Sequence, residues 1–533
     1  MAMPPTCDPS AARILILGAG PTGLGAGYRL KELGHSNFLI VDRHPYAGGL
    51  AHSFTDDAGF TWDIGGHVMF SHYEYYDRVF AAMMGDEYTL NDRESWVRMC
   101  DRWIPYPFQN NIRYLPPQVA YECLSGLVAA KVARESGRWS DGRPCPSPKD
   151  APDFGAFIDA VFGPGIARHF MRPYNFKVWA HPPEMMNKEW IGERVAMIDV
   201  DRALKNMVLG SDDFGWGPNN RFKFPLRGGT GAFYDRIARH LGDRIQLNRR
   251  VVSIDVDARV ARFADGSAER YDHLISAMPL DLLCRDLLTG APLAVPDSIR
   301  ATAARLRHSG GSMVGIGIRR PCPSTKSWMY FPEDNCPFYR VTYLSNYSPF
   351  MTPDKDRFYS LLCETSRSEF KPVDRARVVE DTIVGLENAG LLEPGERRDI
   401  VSTWVSDADY SYPTPTVDRD QILASVIPWL EGRAIYSRGR FGMWKYEVSN
   451  TDHTLMQGVE VVNRLLLGER ETTIGLVYQS TQDGRAAATH ERPSVAGSGQ
   501  KPPALVEPKP AQQAGDRREA DVAEEELGVT QPG

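Results

Sequence analysis

The chain has 533 residues, 42% apolar and 24% charged. This is ordinary globular usage, with enough apolar surface for a large core, and the length fits two to four domains. Its 61 basic and 68 acidic residues leave a net charge of −7. That excludes a general nucleic-acid or anionic-membrane binder and leaves room for a local basic pocket. The eight cysteines form no C-x-x-C pair. They are too sparse for a disulfide scaffold or a zinc ribbon and read as free thiols of a reducing compartment. The first twelve residues carry no signal-peptide pattern, and no run reaches the roughly 18–20 apolar residues of a membrane span. A cytoplasmic protein with no metal site and no membrane partner is expected.

In chain order, Ile14-Leu15-Ile16-Leu17 reads as a buried strand and runs straight into Gly18-Ala19-Gly20-Pro21-Thr22-Gly23. A helix follows to near Gly34, and Phe38-Leu39-Ile40-Val41 is a second buried strand ending at Asp42, 19 residues after Gly23. Strand, G-x-G-x-x-G, helix, strand and acid together define a dinucleotide site. The glycines admit backbone N–H groups to a pyrophosphate, the helix start adds partial positive charge, and the acid accepts from a ribose. Asp42 is followed within ten residues by Gly48-Gly49-Leu50. This second glycine pair resembles the flavoproteins related to glutathione reductase and the amine oxidases, and it implies FAD.

Further along, residues 60–67 read as a strand entering a glycine turn at Gly65-Gly66-His67, a shape that brings backbone against a flat ligand. Residues 117–209 are mainly helical in pattern, with a polar Gly/Pro/Ser loop at 136–152. Residues 245–271 read as strands and a hairpin, and His273-Leu274-Ile275-Ser276-Ala277 as a return to the nucleotide-binding sheet. Residues 310–347 and 359–365 are strand-rich, 373–392 helical, and a helix begins at Asn450, with Asn450 or Asp452 as its cap. Residues 479–533 hold no aromatic, six Val or Leu, and nine acids against six bases; disorder is expected there.

Several segments mix aromatics with Arg, Asn and Lys: 170–179, 192–195, 330–340, 345–347, 412–416 and 437–446. Aromatic faces stack on sugars and bases, and the arginine fork matches phosphate. Together they suit a phosphorylated sugar nucleotide.

Gly65-Gly66-His67-Val68, Tyr106-Pro107-Phe108-Gln109-Asn110-Asn111, residues 170–179, Gly192-Glu193-Arg194-Val195-Ala196, residues 331–340 and residues 438–450 resemble the UDP-galactopyranose mutases, in their eukaryotic-type branch. The resemblance runs from about residue 13 to 476. It implies interconversion of UDP-galactopyranose and UDP-galactofuranose without net redox change. In that chemistry N5 of reduced FAD attacks the anomeric carbon, UDP leaves, and a ring-opened iminium recyclises; NADPH is the implied reductant. The nucleophile is then the cofactor, so no serine or cysteine nucleophile is sought.

Site residues carried over from the resemblance are as follows. Gly18, Gly20, Thr22, Gly23, Asp42, Gly48, Gly49, Leu50, Gly65, Gly66 and His67 hold the cofactor. Arg93 and Ser95 respond to its redox state, Arg440 lies against it, and Asn450 opens a helix facing it. Arg194 and Arg340 clamp the UDP pyrophosphate and, with His67, form the catalytic set. Tyr330, Tyr347, Tyr412 and Tyr446 contact diphosphate and sugar. Tyr106, Gln109, Phe170, Asn175 and Trp179 hold the uridine side, and Asn219 reaches the sugar. His67 acts through its backbone carbonyl or its ring, and His72 and His453 are structural. Ser449 stands where the family pattern has glycine. An FAD-dependent amine oxidase or desaturase shares the opening motif but needs no phosphate-facing arginines. A flavin-binding scaffold without activity is a third reading.

The implied fold is α/β. A discontinuous Rossmann-like FAD domain (1–91, 223–295 and 431–478) carries a mainly helical insertion (92–222) and a mixed β-sheet substrate domain (296–430), before the tail (479–533). Loops near Trp179 and Gly210 are expected to close the cleft. The sequence leaves room for a homo-oligomer.

Overall fold

The structure is a computed structural model that describes residues 11–191, 195–197, 200–213, 220–291, 295–474, 476–480 and 486–490. At its centre is a five-stranded parallel sheet. Its strands lie in the order Ile435–Ser437, His273–Ser276, Ile14–Leu17, Phe38–Val41, Ile245–Gln246. The first strand is buried along its whole length, which is why it reads as a continuous apolar run. Helix Pro21–Glu32 follows it and crosses the C-terminal helix Thr451–Leu467 backbone to backbone. A Cβ on Gly25 would lie 2.4 Å from the Leu455 carbonyl oxygen, and one on Gly458 2.0 Å from that of Thr22. Two glycines therefore bring the starts of both helices to the same end of the sheet.

The second layer is a seven-stranded mixed sheet, ordered Ile400–Thr414, Arg307–Ile318, Tyr359–Arg367, Arg340–Tyr343, Trp328–Tyr330, Ser95–Met99, Arg102–Pro105. All its pairs are antiparallel except Trp328–Tyr330 with Ser95–Met99. The sheet therefore extends beyond 296–430, because its last two strands come from the 92–222 segment. Ser95–Met99 alternates buried and half-buried, the period of a strand and not of a helix. Pro117–Ser136, Phe154–Ile166, Arg172–Trp179 and Val200–Leu209 are the main helices of that segment. Trp179 closes a helix and is 1% exposed, so it stands in packed core and not in a closing loop.

Where residues 245–271 predict a hairpin, Val251–Asp255, Val260–Phe263 and Ala268–Arg270 pair antiparallel. Seven cysteines are described, and all are free. No described helix is long and apolar enough to cross a membrane. Leu476–Ser480, which runs two residues into the 479–533 stretch expected to be disordered, pairs antiparallel with Ala486–His490 inside it. The rest of that tail lies outside the described residues.

Arg438 follows the edge strand of the parallel sheet and anchors it. Its guanidinium is fully buried between Glu431 and Glu471, both of which also pair with Arg464. Two arginines thus neutralise two carboxylates. Arg438 stands in the 437–446 cluster that suggests substrate contacts, and the structure gives it a scaffolding place.

Candidate active site

One cavity of about 970 Å3 lies between the two sheets, at the upper end of the range for small-ligand sites. Gly18, Gly20, Thr22, Asp42, Gly49 and Leu50 line one end. Gly65, Gly66, His67, Arg93, Tyr106, Tyr330, Arg340, Glu364, Tyr412, Arg440 and Tyr446 line the other, and Asn450 also reaches the cavity.

The first end is made mostly of backbone. Gly18 has φ +106°, and a Cβ on Gly23 would lie 1.9 Å from the Gly18 carbonyl oxygen. The helix therefore starts directly against the strand, with its N–H groups open to the cavity. Gly48 donates to the Ala19 carbonyl at 2.8 Å and brings Gly49 against Gly20. Asp42 accepts from the backbone of Ala19 (2.7 Å) and His44 (2.8 Å), which fixes its carboxylate at the cavity wall. Asn450 precedes helix Thr451–Leu467 but makes no capping side-chain bond. Asp452 is not the cap either: it is buried and joined to ring nitrogens of His72 (2.8 Å) and His453 (3.0 Å), a structural use of both histidines. Ser449 has φ −113°, open to any residue, so its departure from glycine costs no strain. These backbone N–H groups, glycine approaches and paired helix starts fit a dinucleotide.

The second end is made of side chains. Arg340 and Glu364 form a two-point ion pair, Nε to Oε1 at 2.6 Å and Nη2 to Oε2 at 2.8 Å. Glu364 also accepts from Gly66 N–H (3.0 Å) and Tyr339 O–H (2.8 Å). Burial alone would raise its carboxyl, but Arg340 and these donors outweigh burial and hold it below the usual carboxylate range. Burial works likewise against the charge on Arg340, and Glu364 outweighs it, so the guanidinium stays charged. Arg440 donates to the carbonyls of Ser411 (2.9 Å) and Ser449 (3.2 Å), its guanidinium 4.8 Å from the Tyr412 ring centre. Arg93 lies 5.4 Å from the Tyr106 ring centre.

His67 sits among these charges. Burial is the largest influence on its ring: it works against the nearby Glu364 charge and, helped by Arg440 and Arg340, pushes the ring down to about 4. It is neutral at pH 7, and its Nδ1 has no hydrogen-bond partner among the described residues. Burial raises the phenols of Tyr106, Tyr330 and Tyr412, so they remain O–H donors across the neutral range.

Not every expected ligand reaches the cavity. Ser95 sits in its strand and accepts from Tyr106 N–H through its backbone. Gln109 donates to the Ala196 carbonyl and Asn175 to that of Met171. Phe170 is stacked between Phe108 (4.2 Å) and Tyr174 (5.3 Å). Trp179 backs Tyr446 (4.7 Å) and Tyr412 (5.7 Å). Tyr347 is buried against Phe222 and Phe224. Gly23 and Gly48 shape the loop from behind. Trp179 directly, and Phe170 through Tyr174, back the wall that Tyr330, Tyr412 and Tyr446 present. Arg194 and Asn219 lie outside the described residues. Glu364 and Asp63 are absent from the sequence-derived set. The signal for Glu364 was one acid within the otherwise uncharged buried run Tyr359-Ser360-Leu361-Leu362-Cys363 and Thr365-Ser366. Asp63, fully buried, accepts from Thr230 N–H and Oγ1 (2.7 Å) and from Ser53, tying the glycine turn at 228–231 to the strands before the cavity.

Comparison with known proteins places this architecture. The family model for flavin-containing amine oxidoreductases matches residues 21–441, and the chain belongs to that flavoprotein family. The crystal structure of a reduced UDP-galactopyranose mutase is 44% identical, over 87% of this chain and 96% of that one, with a TM-score of 0.81. A putrescine oxidase bound to putrescine is 16% identical over 86% of this chain and 99% of its own, with a TM-score of 0.57; it shares the fold alone. The 15-cis-phytoene desaturase of Arabidopsis thaliana is 25% identical over 295 residues, 51% of this chain and 48% of its own. The chain spans about half the length of that curated relative. Within the flavoprotein family, then, the chain belongs with the UDP-galactopyranose mutases, and its cofactor is FAD.

Proposed function

We propose that this protein interconverts UDP-galactopyranose and UDP-galactofuranose, with FAD at the glycine-lined end of the cavity and the nucleotide sugar at the arginine- and tyrosine-lined end. NADPH is the reductant in this reading, and the free thiols fit a cytoplasmic setting. The observation that carries it is the cavity itself: Arg93, Arg340 and Arg440 line it together with the dinucleotide loop. Bound there, reduced FAD would supply an electron-rich ring nitrogen as the nucleophile.

The chain's own residues do the rest. Arg340, held charged by Glu364, binds the diphosphate and retains UDP after the sugar bond breaks, so that recombination is intramolecular in effect. Tyr330, Tyr412 and Tyr446 present hydroxyls to phosphate and sugar, and the aromatic layer behind them excludes water that would capture an open sugar. His67, neutral and on the glycine turn, would offer its backbone carbonyl to a flavin ring bound in the cavity. Arg194 and Asn219 complete the substrate contacts in this reading.

An amine oxidase would need an apolar pocket, and three cavity arginines disfavour it. Binding experiments separate the two readings. UDP should bind the FAD-loaded protein, and an aliphatic amine should neither bind nor bleach the flavin. Amine-driven bleaching without UDP binding would overturn the proposal.

A further inference from the structure

Glu364 stands at the junction of the two ends of the cavity. Its strand, Tyr359–Arg367, pairs antiparallel with Arg340–Tyr343 so that Glu364 lies directly opposite Arg340. Residues opposite one another on neighbouring strands present their side chains to the same face. That register is why the carboxylate meets the guanidinium through two parallel bonds. The same carboxylate reaches out of the mixed sheet to Gly66 N–H at 3.0 Å, on the turn that carries His67.

The turn is pressed onto the ion pair. A Cβ on Gly66 would lie 2.7 Å from Thr342 Oγ1, 3.3 Å from Glu364 Oε1 and 3.6 Å from Arg340 Nη2. Glu364 is 2% exposed, and Tyr339 O–H supplies its fourth bond at 2.8 Å. A carboxylate has about four acceptor positions. Two go to Arg340, one to the flavin-side turn and one to a tyrosine that also contacts Tyr412 O–H at 3.3 Å.

We propose that Glu364 is a positioning residue that couples the diphosphate-binding arginine to the glycine turn beside the flavin. This rests on the reading of Arg340 as the diphosphate ligand. Two of the five guanidinium N–H groups are committed to Glu364, which fixes the plane of the fork and leaves the other three for phosphate oxygens. A diphosphate that draws on Arg340 changes what Glu364 can give to Gly66. A turn that shifts when flavin N5 changes from acceptor to N–H donor changes what Glu364 can give to Arg340. Coupling of this kind is reciprocal: UDP affinity depends on flavin oxidation state by the same factor by which the flavin potential depends on UDP.

The experiment measures UDP dissociation constants for FAD-loaded wild type, Glu364→Gln and Glu364→Asp, each oxidised and dithionite-reduced. If wild type binds no UDP, the functional reading fails, and this inference falls with it. If wild type binds UDP, its two constants are expected to differ several-fold. In Glu364→Gln they should converge to within about two-fold, and Glu364→Asp should restore part of the difference. Equal constants in wild type, or an unchanged ratio in Glu364→Gln, would overturn the coupling role. Loss of FAD or of cooperative melting in both variants would overturn it too, by making Glu364 a structural carboxylate.

Discussion

The two ends of the cavity are built from different materials. The dinucleotide end is backbone: N–H groups, glycines without Cβ atoms and the starts of two helices, drawn largely from one contiguous stretch, residues 14–50. The substrate end is side chains: Arg93, Tyr330, Arg340, Glu364, Tyr412 and Arg440, gathered from strands and turns far apart in the chain. Backbone recognition tolerates almost no added atom, whereas side-chain recognition is set by which strands are neighbours. The two ends should therefore fail differently when altered.

The largest effect is expected at the backbone end. Gly23→Ala places a methyl 1.9 Å from the Gly18 carbonyl oxygen. The helix must move off the strand, and the purified variant should carry no flavin, as read from its visible absorbance. A yellow, FAD-loaded Gly23→Ala would break the contrast.

Arg340→Ala should do the reverse, keeping FAD and losing the reaction. Removing a charged ligand of the diphosphate from a buried site costs about 4 kcal/mol of binding and transition-state stabilisation, so kcat/KM should fall roughly 10^3-fold with flavin content unchanged. Arg438→Ala tests the scaffold beneath the backbone end. It leaves Glu431 and Glu471 to share the single charge of Arg464, and urea melts should show a loss of about 3–5 kcal/mol with UDP contacts untouched.

The smallest effect is one of pH. Burial raises Asp63 from its ordinary 3.8 to about 6, against the bonds from Ser53 and Thr230. A carboxyl whose folded pKa is raised contributes stability that is full below about pH 4 and lost as pH rises through about 6. The stability difference between wild type and Asp63→Asn should shift by about 3 kcal/mol across that window, measured by denaturant melts at several pH values. A flat difference would mean that Asp63 stays ionised in the folded protein.

The same division explains what the sequence made legible. The dinucleotide loop could be read because all its determinants are local: Gly18, Gly20, Gly23 and Asp42 have fixed spacing around one strand–helix–strand unit. The return strand His273–Ser276 and the helix after Asn450 were legible for the same reason. At the substrate end, resemblance supplied candidates but not their depth. Trp179 directly, and Phe170 through Tyr174, hold the wall from behind, a fact of three-dimensional packing that no motif encodes. Glu364 acts 24 residues from Arg340 through a strand register that only the assembled sheet defines. The strands Ser95–Met99 and Arg102–Pro105 were hidden inside a stretch dominated by helices.

The most direct test of the account incubates FAD-loaded protein with UDP-galactofuranose, oxidised and dithionite-reduced, with the nucleotide sugars separated by chromatography. Conversion to UDP-galactopyranose is expected from the reduced protein alone. No conversion by reduced, FAD-loaded protein would contradict it, since both ends of the cavity would then be in place without performing the reaction they were assigned.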